Sequence, residues 1–123
     1  MIAQGRVFAR RAGLLVMNHE YTDDGLLHVG RMEPWTPEKV AKSQAAHGVS
    51  VVEVTLAGDH WQVDHSSALG RRITARTPIK VSGPAAGHAL MHTGFDPDGR
   101  TVLGTINNCA MGATPWGTYL ACE

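Results

Sequence analysis

The chain finishes on Cys122-Glu123, a soft thiol beside a hard carboxylate, and this adjacency is the densest metal-ligating chemistry in the sequence. A thiolate favours iron, zinc or copper, whereas carboxylates suit calcium or magnesium. Structural zinc modules keep to cysteine and histidine, so a mixed sulfur and carboxylate pair points to redox-capable or Lewis-acid iron. Glu20, in Asn18-His19-Glu20, is the further candidate ligand, because the triplet follows an apolar run and strand ends present side chains to cavities. The simpler account of that triplet is a polar turn after a core strand. Arg71-Arg72 carries the guanidinium chemistry to clamp a phosphate, set against the more ordinary role of a solvated or ion-paired surface. His60, Asp64 and His65 have ligand chemistry too, but read more readily as the wet face of an edge hairpin. Asp96 and Asp98 stand two apart before Gly99 with nothing else of an EF-hand loop around them, so Asp96-Pro97-Asp98-Gly99 is read as a hairpin turn. No residue is singled out as catalytic.

These residues must be held by short strands. Gly5–Ala9 and Gly13–Asn18 read as strands, the continuous apolar run Leu14-Leu15-Val16-Met17 implying burial on both faces. Tyr21–Pro34 lacks periodicity and is expected to be loop. Thr36-Pro37-Glu38 opens a helix, with Thr36 as cap, Pro37 at the first helical position and Glu38 against the dipole. The helix should reach about His47, with Gly48 as its stop. Its apolar stripe of Val40, Ala41, Ala45 and Ala46 is thin, which marks a surface helix. Val49–Leu56 is the clearest strand, turned at Ala57-Gly58-Asp59 into His60–Asp64, where Trp61 is read as a packing residue. Ile73–Ala75 and the start of Thr77–His88 read as short strands, Gly83-Pro84 and Gly87 break the second, and no P-loop spacing is present. Ala89–Thr93 is expected to be extended. Thr101–Asn107 and Trp116–Glu123 read as a closing hairpin around a loop containing Cys109. Twelve residues lie between Cys109 and Cys122; a disulfide between them requires facing strands and stays open, while Cys109 is read as a loop-packing residue.

Composition bounds the rest. A chain of 123 residues supports one core, so residues 1–123 are treated as a single domain. Eleven basic and eleven acidic residues balance, giving no electrostatic footprint for nucleic acid or membrane. Fourteen glycines and six prolines with 43% apolar residues suit strands and turns better than a helical bundle. Arg6, Arg10 and Arg11 precede only the five-residue run Gly13–Met17, shorter than a signal-peptide core and without a small-residue cleavage site. Seven histidines add ligand or titrating capacity, although satisfied or exposed histidines are the commoner outcome.

Several segments, in order, resemble the PhoX-type alkaline phosphatases. They are Asn18-His19-Glu20-Tyr21-Thr22, His47-Gly48-Val49-Ser50-Val51-Val52-Glu53-Val54, Arg71-Arg72-Ile73-Thr74, Ser82-Gly83-Pro84-Ala85-Ala86-Gly87-His88, Asn107-Asn108-Cys109-Ala110, Thr114-Pro115-Trp116-Gly117-Thr118-Tyr119 and Cys122-Glu123. The resemblance runs from Leu14 to Glu123 and implies a mainly β chain, a partial β-propeller of about two to three blades with one short surface helix. It implies descent from a phosphate-monoester hydrolase that uses calcium together with iron and is exported by the twin-arginine route. By the same resemblance Cys122, in the family's Cys-Glu-Glu segment, is a metal ligand with Glu123 beside it, and Glu20 belongs to the motif series.

Family members are several times longer, so the chain is expected to be an N-terminal slice that lacks the second glutamate, the later blades and the export signal. A closed propeller needs four to eight blades of four strands. The expectation is therefore a PhoX-type chain that is inactive alone, its localisation unset. The alternative is a non-catalytic metal-binding or β-edge module that self-associates through open strands.

Overall fold

The computed structural model describes residues 4–9 and 11–122. It is mainly β and antiparallel throughout. β1 (Gln4–Ala9), β2 (Ala12–His19), β3 (Gly48–Ala57) and β4 (His60–Val63) form a meander in that order, and β5 (Arg71–Ile73) also pairs with β3. Two two-stranded ribbons follow: β6 (Pro78–Lys80) with β7 (Thr101–Leu103), and β8 (Met111–Ala113) with β9 (Tyr119–Ala121).

The β-branched run of β3 makes it the centre of the large sheet. Its register sets Val51 opposite Val16, Val49 opposite Asn18 and Gly48 opposite His19 on β2, and sets Val49 opposite Ile73 on β5. Because strand side chains alternate with a period of two, Val16 and Asn18 share one face of β2, and Val49 and Val51 share one face of β3. Val16, Val49 and Val51 form the buried cluster, and Leu14, Ile73 and Tyr119 pack against it. The Leu14–Met17 run is not buried on both faces as expected: Val16 is buried, while Leu14, Leu15 and Met17 are half-buried. On the Val16 face, Tyr119 of the β8–β9 ribbon packs against the valine cluster beside Leu14.

α2 (Pro37–Ala46) begins as its sequence dictates: the Thr36 hydroxyl accepts from the Lys39 amide at 3.3 Å, and Pro37 occupies the first turn. It ends before Gly48, whose φ of +104° sets the chain into β3. The Tyr21–Pro34 segment contains a helical turn that periodicity cannot reveal, α1 (Asp24–Leu27), four residues long and capped by the Asp23 carboxylate on the Gly25 and Leu26 amides. Ala89–Met91 is a 3-10 turn rather than extended chain, capped by the His88 ring on the Leu90 amide.

The closing hairpin is built differently from its expected form. β7 pairs back to β6, and the partner of β9 is β8, a strand inside the segment expected to be loop. The Gly112-containing β8 has too little β-branched character to announce itself. Trp61, expected to pack, is 48% exposed on β4, all four of whose residues are exposed.

Candidate functional site

The candidate ligands sit at two strand ends that one buried side chain joins. Asn18, penultimate in β2, is 1% exposed. Its Oδ1 accepts from the Tyr119 hydroxyl at 2.7 Å, and its Nδ2 donates to the Ala110 carbonyl at 3.2 Å. The Ala110 carbonyl also accepts the Cys122 amide at 3.0 Å. Both functions of the amide are thus spent on the β8–β9 ribbon, which ties the end of β2, where His19 and half-buried Glu20 follow, to the backbone that carries Cys122. A buried amide so satisfied is a strong positioning device, because leaving either atom unpaired there is costly.

Cys122 directly follows β9 and is exposed with a free thiol. Glu123, its expected companion, lies outside the described residues. Cys109 is also exposed and free, so it does not pack the loop as expected; its amide donates to the Cys122 carbonyl at 3.1 Å. Beside it Asn108 is 1% exposed, with Nδ2 donating to the Thr105 hydroxyl at 2.6 Å and Oδ1 left without a hydrogen-bond partner among the described residues. Buried polar atoms are rarely left so, and an orphaned amide oxygen is a hard donor of the kind calcium takes. Asn18 and Asn108 stood in the motif series without a role; their burial is the missing signal, and burial is not a local property of sequence.

His19 Nε2 and the Ser50 hydroxyl lie 2.7 Å apart. Burial first, and the charge of Arg72 second, hold the His19 imidazole below its ordinary value, so it favours the neutral form. Arg72 donates from Nη1 to the Ser50 hydroxyl at 3.1 Å, and from Nη2 to the carbonyls of Ala45 at 2.7 Å and His47 at 3.0 Å. Its fork therefore straps β5 to the end of α2. Arg71 donates to the Leu69 carbonyl at 2.9 Å and lines an apolar cavity of about 370 Å³ between the large sheet and the β8–β9 ribbon. Both arginines also line a shallow cavity shared with Asp64, His65 and Ser67.

The other acidic candidates are occupied locally. Asp64 accepts from the Ser66 amide and hydroxyl, His60 pairs with Asp59 at 3.1 Å on the surface, and Asp96 accepts from the amides of Asp98, Arg100 and Thr101. Asp24 accepts from the Ser43 hydroxyl at 3.1 Å. Among the described residues no group of three or more His, Cys, Asp or Glu side chains is placed to hold a metal ion. A free thiol, a half-buried carboxylate and an orphaned amide oxygen fit contributors to a metal centre, not a complete cage.

A five-stranded antiparallel sheet followed by two ribbons, each with half the strands of a blade, is the architecture of a partial β-propeller. The alkaline phosphatase PhoX family model matches residues 2–123, and the chain belongs to that family. The structure of Pseudomonas fluorescens PhoX in complex with vanadate, a transition state analogue, matches with a TM-score of 0.87 and 46% sequence identity. The match covers 94% of this chain and 20% of that one, so the chain spans about a fifth of the length of the solved relative. No curated protein sequence matches. Among the described residues no helix is long and apolar enough to cross a membrane.

Proposed function

We propose that this chain supplies one section of the metal-bearing body of a phosphate-monoester hydrolase, with Cys122 and Glu20 as ligands and Glu123 beside them, and that it does not turn over substrate alone. The observation that supports this is the double hydrogen bond of Asn18 to Tyr119 and Ala110, which ties the strand end bearing Glu20 to the backbone bearing Cys122. Cys122 suits iron, and Glu20 together with the Asn108 amide oxygen suits calcium. Bound metal ions would polarise phosphoryl oxygens and offset charge that develops on them. The residues of this chain contribute orientation: Asn18 fixes the ribbon, and neutral His19 with Ser50 and Arg72 fixes the end of β2. The vanadate bound by the Pseudomonas relative supports a phosphate ester as the substrate class of the complete enzyme.

Elemental analysis of the purified chain, with and without Cys122→Ala, tests the ligand assignment, and a p-nitrophenyl phosphate assay at alkaline pH tests catalysis. Iron that falls by at least tenfold in Cys122→Ala, with no turnover by either protein, is the expected result. Unchanged iron in the variant removes Cys122 as a ligand, and turnover by the metal-free chain overturns the reading.

The alternative, a β-edge module, has its own support in β4, an edge strand whose residues are all exposed. Light scattering over a concentration series distinguishes it, since a strict monomer at high concentration counts against it.

A further inference from the structure

We propose that Cys109 and Cys122 form a cross-strand dithiol that closes reversibly into an intramolecular disulfide, and that closure withdraws Cys122 from metal binding. The second half rests on the assignment of Cys122 as a ligand; the first half stands on backbone geometry alone.

The Cys109 amide donates to the Cys122 carbonyl, and the Cys122 amide donates to the Ala110 carbonyl. Two consecutive residues, Cys109 and Ala110, therefore oppose the single residue Cys122, the arrangement of a β-bulge. A regular continuation of the Met111–Ala121 pairing would set Ala110 alone opposite Cys122. The extra residue is what brings Cys109 into the pair. Residues opposed across an antiparallel ladder have Cα atoms about 4.5–5.5 Å apart. That lies inside the range of roughly 4.4–6.8 Å that disulfides span.

Both cysteines hang on anchored backbone. Asn108, immediately before Cys109, is buried, and the Ala110 carbonyl is held by Asn18. The far end of the hairpin is closed by the Thr114 amide on the Thr118 carbonyl at 2.9 Å. Ring closure thus needs little further loss of chain freedom. Both thiols are free and exposed, open to a soluble oxidant, and exposed disulfides are the readily reduced, regulatory kind.

The oxidant is a small-molecule disulfide of the glutathione class. One cysteine thiolate attacks a sulfur of the oxidant, its S–S bond breaks, and one reduced thiol leaves. The other cysteine thiolate then attacks the mixed disulfide at the protein sulfur, forming the Cys109–Cys122 bond and expelling the second reduced thiol. Two protein thiols lose two protons and two electrons, and one oxidant disulfide becomes two thiols.

The test uses the metal-free chain in oxidised glutathione, with thiols counted by Ellman's reagent after unfolding and masses measured on the intact protein. The expected result is joint loss of both thiols, a mass lower by two hydrogens, no glutathione adduct, no covalent dimer, and recovery with dithiothreitol. Cys109→Ser and Cys122→Ser should each instead retain one glutathione on the remaining thiol. Stable glutathione adducts on both cysteines of the unmutated chain, or only covalent dimers, overturn the proposal while leaving Cys122 as a metal ligand. Iron loading then separates the two halves. The oxidised chain should retain at least tenfold less iron than the reduced chain, while Cys109→Ser that has never met oxidant binds as the reduced chain does. A disulfide that forms without changing iron retention overturns the regulatory half and the ligand assignment of Cys122 together.

Discussion

The Tyr119 hydroxyl donates to Asn18 Oδ1 at 2.7 Å across 101 positions of sequence, and the same asparagine reaches Ala110 with its Nδ2. This pair connects the large sheet to the ribbon that carries both cysteines. Asn18→Ala removes both bonds from a buried site and should cost about 2–3 kcal/mol, while Tyr119→Phe, which strands only the Asn18 oxygen, should cost about 1–2 kcal/mol. Because the two changes delete the same bond, the double variant should fall short of their sum by about 1 kcal/mol. Urea unfolding of the four proteins measures the cycle, and strict additivity would show that the bond contributes nothing.

Burial raises the Tyr119 phenol above its ordinary value of 10.0. The folded state therefore prefers the neutral phenol. Its contribution is full below the unfolded value near 10.0 and is lost as pH climbs through the folded value. Thermal melting between pH 9 and 11 should show a steeper loss of stability in the unmutated chain than in Tyr119→Phe. Parallel curves would disprove the coupling.

Asp96 behaves oppositely. Amides of Thr101, Arg100 and Asp98 hold its carboxyl below the ordinary value of 3.8, the Thr101 amide most strongly. That stabilisation is present above the unfolded value and is lost as pH falls through the lower folded one. Carboxyl titration followed by NMR should place Asp96 below the ordinary value of 3.8, and Asp96→Ala should loosen the turn before β7, read as faster amide exchange at Arg100 and Thr101.

Arg72 ties β5 to the last turn of α2 with a planar fork that lysine cannot reproduce. Arg72→Ala should lower stability by about 1 kcal/mol, after allowance for the solvent that reaches the guanidinium. Arg72→Lys should recover less than half of that in the same melts. Full rescue by lysine would mean that charge alone matters and the fork does not.

Gly48 and Gly104 cannot carry a side chain. A Cβ on Gly48 would lie 2.1 Å from the Ile73 carbonyl oxygen, and one on Gly104 would lie 2.2 Å from that of Thr74; both residues have positive φ, +104° and +57°. Gly48→Ala or Gly104→Ala should destabilise by about 3 kcal/mol or more, seen as loss of the soluble folded form. A normal melt for either would contradict the close approach of these strands.

Local chemistry made much of this architecture legible. Thr36-Pro37 announced the start of α2, Gly48 its end, Ala57-Gly58-Asp59 the β3–β4 turn, and the ordered motif series the family. These are short-range signals: a cap, a turn, a β-branched run. The closing hairpin was misread because the pairing of β8 with β9 and of β7 with β6 depends on which strands meet, and strands of three residues carry too little pattern to choose. The sites divide in the same way. Sequence alone determined which side chains have ligand chemistry, Cys122, Glu123 and Glu20 among them, because functional groups belong to residues. Only tertiary structure decided that Arg72 is a strut, that Asn18 is the buried link between two strand ends, and that Cys109 faces Cys122. Burial and opposition across a ladder are properties of pairs far apart in the chain, and no residue carries them by itself.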